Sequence, residues 1–321
     1  MRTMPRGYSI DLGSAMLRIL ARNGERILHM PTVAALDFEG RIRARGSRAV
    51  EIQSSRPDML HLVRPVLQRS VADPLVAAYL LRAALREVSG DAKAKHFATA
   101  TLCVPDRMGE LQAEALLVAC ETAGLRRVRL VAKSLACAVG SGVPLAEPAG
   151  ALVVDVGAER SSAALLSCGD VIATSSFPVG GLDVDEGLVR LLRHRHGLII
   201  SPTEAERTKV RIGTAEADSL PVRGHDLLRG LPDTRTVPVA DLVRVPLATY
   251  DTLAKHVLAL LSDSPPKLVE DVHDRGLVLC GEGARMRGLA ERLRDRLSLP
   301  VHVPDQPGDV GVLGAWDVVE V

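Results

Sequence analysis

Val153–Leu166 reads VVDVGAERSSAALL, an apolar run into Asp155 and Gly157, a polar turn, and a second apolar run. Apolar strands on either side of a Gly-containing turn predict a β-hairpin. Asp-x-Gly at the mouth of such a hairpin suits a chain that wraps a phosphate, whose oxygens accept from backbone N–H groups. Here the turn carries Ala158, Glu159 and Arg160, where such a cradle calls for glycines and a hydroxyl. Tyr8–Leu20, YSIDLGSAMLRIL, repeats the design with Asp11 and Gly13. A recurrence at about 140 residues predicts two similar lobes, each opening on the same hairpin.

The 321 residues exceed one compact domain and suit two lobes. With 47% hydrophobic and 25% charged residues, the chain buries a sizeable core, which argues against disorder. A net charge of +1, with basic and acidic residues interspersed, gives no case for nucleic acid or acidic lipid as the main partner. One Trp, three Tyr and three Phe are too few for a base-stacking platform. The five cysteines (Cys103, Cys120, Cys137, Cys168 and Cys280) form no CxxC pair, and most lie in apolar runs. That usage predicts buried thiols in a reducing cytosol, neither a disulfide framework nor a metal site. With no N-terminal h-region and no long apolar run, the expected chain is soluble and intracellular.

Asp106–Gly124 predicts a helix with an apolar stripe at Leu111, Ala115, Leu116 and Ala119 and a glycine stop. Gly181–Gly197 predicts another, opening with Asp183 and Glu186 at capping-box spacing. Leu247–Leu261 and Ala284–Leu297 also have helical periodicity. Thr99–Val104, Arg127–Val131 and Leu277–Leu279 read as short strands of a covered sheet. Pro31–Gln68 and Ser219–Val245 are mixed and polar, as in outer subdomains. The expected fold is α/β, with lobes over 1–149 and 150–321 and outer subdomains at about 31–68 and about 181–245.

Taken in order, these pieces resemble the MreB/Mbl family of bacterial actin homologues, the rod shape-determining proteins. IDLGSA resembles the family's first phosphate loop, and PTVAAL the stretch after it. VGSGVPLAEPAGALVVDVG is similar to the connection into the second loop. FPVGGLDVDEGLVRLLRHRHGLIISPTEAERTKVRIG resembles the helix and adenosine-contacting region, and LVLCGEGARMRGLAERLRDRLSLPVHV the third glycine turn and its helix. The likeness covers essentially the whole chain. It implies an actin-like (ribonuclease H-like) fold, two lobes around a nucleotide cleft, with ATP or ADP and Mg²⁺ as the expected ligands.

By this resemblance Asp11 and Asp155 hold the metal through water; an Asp that merely organises its turn is the alternative, and its presence in both turns favours the site. Gly13 and Ser14 keep the first turn's approach and hydroxyl, whereas Met16 and Leu17 stand where the family has Asn and Thr. In the second turn Gly157 remains. Ala158 and Glu159 add Cβ atoms where positive φ or close approach is called for, and Glu159 adds a carboxylate facing a polyanion. Arg160 offsets that charge if it turns inward; both side chains pointing to solvent is the plainer alternative. In the third turn Glu282 replaces the middle glycine, leaving Gly281, Gly283 and Ala284 for an adenosine moiety. Glu206 and Lys209 match the adenosine-side Glu and Lys, although i, i+3 spacing on one helix face also suits a surface ion pair.

LVAKSLACAVG (Leu130–Gly140) resembles the segment where the family starts a helix with Glu-Glu-Pro and its second Glu positions the attacking water. Ala132, Lys133 and Ser134 fill those places. A lysine ammonium holds its proton at neutral pH, so it neither accepts a proton nor aims a water. Lys133, at the catalytic position, therefore argues against hydrolysis more firmly than against binding. Leu182 replaces an acidic residue after Gly180-Gly181. Gly90–His96 (GDAKAKH) is basic where relatives often present an apolar tip, and the stretch before Tyr8 reads as too short for an amphipathic anchor. Only Lys93 and Lys95 then speak for direct membrane contact. His194-x-His196 reads as a solvated helix end, the charges of Arg285–Arg296 as a wet helix face, and Ser161-Ser162 as no nucleophile.

Three readings follow from the residues and the resemblance. One is a cytoskeletal protein of cell shape or wall morphogenesis with impaired ATP hydrolysis. The second is an active actin-like ATPase with dynamic filaments. The third is a module that caps or co-assembles with a conventional filament. The expected partners are the chain itself, a conventional MreB/Mbl paralogue or wall-morphogenesis proteins. The expected location is cytoplasmic, reaching the membrane through partners.

Overall fold

The computed structural model describes residues 7–22, 24, 26–56, 58–89 and 99–320. The basic loop Gly90–His96, with Lys93 and Lys95, lies outside them. The chain divides into two units, 1–148 with 168–171 and 309–321, and 149–167 with 172–308.

In the first unit, β1 (Gly7–Leu12) and β2 (Met16–Ala21) form the expected hairpin, with Leu12 opposite Leu17. Then come β3 (Leu28–Pro31), β4 (Ala34–Leu36), β5 (Ile42–Arg45), α1 (Ser47–Ser55), β6 (His61–Val63) and the small pair β7 (Val66–Leu67) and β8 (Ser70–Val71). Next follow α2 (Pro74–Ser89), β9 (Thr99–Val104), α3 (Glu110–Ala123), β10 (Arg127–Ala132) and α4 (Lys133–Gly140). The main sheet runs β10-β9-β1-β2-β3, parallel across β10, β9 and β1 and antiparallel beyond. Alternation decides its two faces. Tyr8, Ile10, Leu17 and Ile19 enter a core with Leu80, Leu81 and Leu102, while Ser9, Asp11 and Arg18 point the other way from their neighbours. The stretch expected as an outer subdomain holds its own small core of Val33, Ala35, Ala44, Ala49 and Leu60.

The second unit repeats this plan: β11 (Ala151–Val156), β12 (Ser161–Ser167), β13 (Asp170–Phe177), α5 (Gly181–His196), β14 (Leu198–Ile199) and α6 (Pro202–Thr214). After these come β15 (Ser219–Asp226), β16 (Pro232–Pro238), α7 (Val239–Leu242), α8 (Arg244–Ser262), α9 (Pro266–Arg275), β17 (Leu277–Cys280), α10 (Leu289–Leu297) and β18 (Val301–His302). Its main sheet, β13-β12-β11-β17-β18, has the same arrangement of one hairpin beside two parallel strands. Thus the repeat in sequence is a repeat in topology. Asp11 pairs in register with Cys103 of its parallel neighbour, and Asp155 with Cys280.

The chain then returns. Asp309 and α11 (Val310–Gly314) belong to the first unit, so a single cut near 149 does not divide the molecule. An ion pair and a helix-to-helix packing are among the contacts that hold them there. Arg18 Nε donates to Asp309 Oδ1 at 2.9 Å, and α11 packs on α4 through Gly140 and Gly314, where a Cβ would stand 2.0 Å from Val310 O and 2.1 Å from Ala136 O respectively.

Local readings also shift. Of the expected stripe Leu116 and Ala119 are buried but Leu111 is 81% exposed; α3 also buries Cys120 and Ala123, and stops at Gly124 in the left-handed region. Asp183 is not the first member of a capping box but its third helical residue, accepting from Gly180 N–H at 2.8 Å. The helix expected from Ala284 starts only at Leu289, after a 3₁₀ turn over Glu282–Arg285. Its charges are not all a wet face, since Arg292 Nε donates to Asp251 on α8 at 2.6 Å. Among the described residues no helix is long and apolar enough to cross a membrane.

Cys103, Cys120, Cys137 and Cys280 are buried and Cys168 is exposed. Burial pushes the Cys120 thiol up to about 12, and the thiolate is the reactive form. Native protein treated with iodoacetamide is therefore expected to gain one adduct, at Cys168, and five after denaturation. Intact-mass measurement checks this, and rapid native labelling at Cys120 would contradict it.

Candidate functional site

In the first unit the hairpin turn closes by Gly13 N–H donating to Met16 O at 3.1 Å, and Thr32 N–H donates to Ala15 O at 2.9 Å. Gly13 is confined, since a Cβ there would meet Met16 O at 3.0 Å. Ser14 sits half-buried in this turn. Leu17, however, is fully buried in the sheet's core, so its side chain serves packing and does not face the turn as the resemblance implied.

Asp11, at the carboxyl end of β1, is 4% exposed. Lys133, the first residue of α4, brings its Nζ to 3.4 Å from Asp11 Oδ2. That is an ion pair longer than a tight N–H···O bond. The lysine is placed by backbone, because the parallel register carries β9 and β10 to the same edge as Asp11. Asp106 follows β9 and its Oδ1 accepts from Ser134 N–H at 3.0 Å, which caps α4 at its start. From α11, Gly311 passes beside the lysine stem, and a Cβ there would lie 3.8 Å from Lys133 Cε. Cys103 Sγ donates to Gly311 O at 3.3 Å. Neither Asp106 nor Gly311 stood out in sequence. The glycines of GDVGVLGAW were the available signal.

The expected magnesium fits this carboxylate poorly. At an effective dielectric of 20, unit charges 4 Å apart interact by about 4 kcal/mol, and a dication beside an ammonium doubles the repulsion. Asp11 already has its cation.

In the second unit the hairpin turn closes from Gly157 N–H to Arg160 O at 3.2 Å. Neither Ala158 nor Glu159 has positive φ, so their Cβ atoms cause no left-handed strain, contrary to the expectation from glycines. Arg160 turns neither inward to a phosphate nor free to solvent. Its Nε and Nη2 donate to Ser176 Oγ and Ser176 O, each at 3.2 Å. The turn's carbonyls are taken up by α5: Gly181 N–H donates to Gly157 O at 3.0 Å and Leu182 N–H to Ala158 O at 2.8 Å. This close approach demands glycine at 180, where a Cβ would meet Ala158 O at 2.3 Å.

Lys209 is brought to the same place, from α6. Its Nζ donates to Gly181 O at 3.0 Å and to Asp185 Oδ2 at 2.7 Å. It therefore braces the start of α5, while Glu206, its expected companion, is exposed on α6. Sequence reading missed Asp185, which looks like one more acid in a charged helix. Burial, with Asp185 and Asp183 nearby, also pushes the Tyr250 phenol up and keeps it protonated.

In the third glycine turn, Gly281 has φ 82°, and a Cβ on it would meet Val156 O at 2.4 Å and Asp155 Oδ1 at 2.6 Å. Gly283 is equally confined, 2.2 Å from Val156 Cγ1, and Ala284 is buried. These glycines let the turn close against β11 beside Asp155, so packing by itself accounts for them. Glu282 faces outward and pairs with Arg285 at 3.2 Å. His196 lies 3.8 Å from Asp241, which also holds Arg195. Among the described residues no cluster of three His, Cys, Asp or Glu could hold a metal ion.

Known proteins share this architecture. MreB 5 of Spiroplasma citri, solved bound to AMPPNP, superposes with a TM-score of 0.90 at 24% identity, covering 98% of this chain and 95% of that one. The MamK double helical filament gives a TM-score of 0.79 at 19% identity, covering 98% of both chains. The fold is actin-like. Cell shape-determining protein MreB of Escherichia coli (strain K12) is 30% identical over 308 residues, 93% of this chain and 89% of its own. Mbl of Bacillus subtilis (strain 168) is 29% identical over 317 residues, 96% and 94% respectively. The family model for MreB/Mbl protein matches residues 6–321, and on that span, with the duplicated hairpin sheets, the chain belongs to the MreB/Mbl family of bacterial actin homologues.

Proposed function

We propose that this chain is a cytoskeletal member of its family, working in the cytoplasm in cell shape or wall morphogenesis. It binds adenine nucleotide and assembles, alone or with a conventional relative, without efficient hydrolysis. Relatives named for cell-shape determination, a neighbour solved with AMPPNP and a neighbour solved as a double helical filament support assembly and nucleotide binding. The observation that carries the loss of hydrolysis is Lys133. At the start of α4, where the resemblance calls for a water-positioning Glu, stands an ammonium committed to Asp11 at 3.4 Å. General-base help contributes about 10²–10⁴-fold to such reactions.

Purified protein with saturating ATP is accordingly expected to release phosphate in single turnover at least about 100-fold more slowly than a conventional relative assayed beside it. In the same samples it is expected to sediment as assemblies. Phosphate release at the relative's rate would overturn the reading, as would a protein that stays monomeric at every concentration, alone and mixed with that relative.

A further inference from the structure

We infer that Lys133 is a built-in counter-cation for Asp11, so that this chain binds adenine nucleotide without needing magnesium. The inference rests on the nucleotide-binding reading above.

Asp11 stands next to last in β1 and is 4% exposed. A carboxylate so placed must be matched by positive charge or by hydrogen bonds. The Lys133 ammonium, itself largely withdrawn from water at 28% side-chain exposure, supplies that charge at 3.4 Å. The lysine is held at both ends of its reach. Its backbone is fixed by the start of α4, which Asp106 caps through Ser134 N–H. Its stem lies along Gly311, the residue whose carbonyl accepts from Cys103. A divalent cation recruited by Asp11 would have to sit beside this ammonium, which charge opposes, or displace it, which breaks the Asp11–Lys133 pair. A triphosphate, by contrast, meets at this turn a cation that arrives with the fold. A fixed ammonium is a good partner for phosphate as a point charge.

The test uses the full chain and a fluorescent ATP analogue, titrated in buffer with magnesium and in buffer with EDTA. The wild type is expected to bind with affinities agreeing within about twofold in the two buffers, and Lys133→Arg, which keeps the charge, to do the same. Lys133→Gln is expected to lose at least tenfold in affinity in EDTA and to recover most of it with magnesium. In the absence of nucleotide, thermal unfolding is expected to show Lys133→Gln less stable than wild type, with Asp11→Asn restoring stability in that background. Wild-type affinity at least tenfold higher with magnesium than with EDTA would overturn the inference and leave the nucleotide reading standing. If neither protein bound nucleotide in either buffer, the nucleotide reading itself would fall and the inference with it. Equal stability of Lys133→Gln and the double variant would overturn the pairing on which the inference is built.

Discussion

Asp309→Ala is expected to destabilise the protein by about 3–5 kcal/mol, the range for removing one partner of a buried ion pair. Arg18 and Asp309 have side chains only 7% and 9% exposed. Arg18 stands on β2 between core-facing Leu17 and Ile19, so its charge-assisted bond to Asp309 is made away from water. His29 Nε2 shares the same Asp309 oxygen at 2.8 Å, but with 43% of its side chain exposed it turns to solvent at little cost. An exposed pair would yield at most about 1 kcal/mol, so burial decides the size of the effect. The loss would appear as a fall in Tm of roughly 10 °C, followed by circular dichroism. Because the cost is that of a buried charge losing its bond to Asp309, Arg18→Met together with Asp309→Leu is expected to recover most of it. A single variant within about 1 kcal/mol of wild type would contradict this account.

Gly314→Ala is expected to be the next most damaging, for a different reason. A Cβ at 314 would stand 2.1 Å from Ala136 O and 2.3 Å from Gly140 N, both backbone atoms of α4. No rotamer relieves such a clash, so α11 must move away from α4. Gly314 is the last residue of α11, so alanine gains less there than the about 1 kcal/mol of a helix interior, while overpacking costs about 1–3 kcal/mol, occasionally more. With two backbone contacts violated, the clash wins, and a net loss of about 2–3 kcal/mol is expected by urea unfolding. Gly109→Ala is the matched control: its Cβ would meet nothing nearer than Gln112 Oε1 at 3.8 Å, so its effect should stay within about 0.5 kcal/mol. Displacement of α11 also withdraws Gly311 from the Lys133 stem, so Gly314→Ala is expected to weaken nucleotide binding in EDTA as well. Equal stability of Gly314→Ala and Gly109→Ala would show that the two helices are not held by backbone contact.

The residues that could be read along the chain were those whose reason is local. Apolar runs on either side of an Asp-x-Gly turn predicted both hairpins, and they stand at Gly7–Ala21 and Ala151–Ser167. Gly124 and Gly197 marked the ends of α3 and α5 because both stops need a left-handed residue. Five blocks in order were also enough for the family. Local pattern failed where a side chain's reason lies far off in sequence. Leu111 belonged to an apolar period yet faces water, and Leu17 looked like a phosphate-loop position yet fills the core. Lys133 was visible as a substitution, but its commitment to Asp11 arises only when parallel strands β1, β9 and β10 bring their carboxyl ends together. Asp309, which accepts from Arg18 across a separation of 291 residues, gave no sign of itself at all. Composition and periodicity are written in neighbours, and they determined the elements and the duplication, while the resemblance of five motif blocks in order carried the kinship. Charge pairing and backbone-to-backbone contact are set by which edges meet in space, and these alone decided which cation Asp11 keeps and where the C-terminal segment returns.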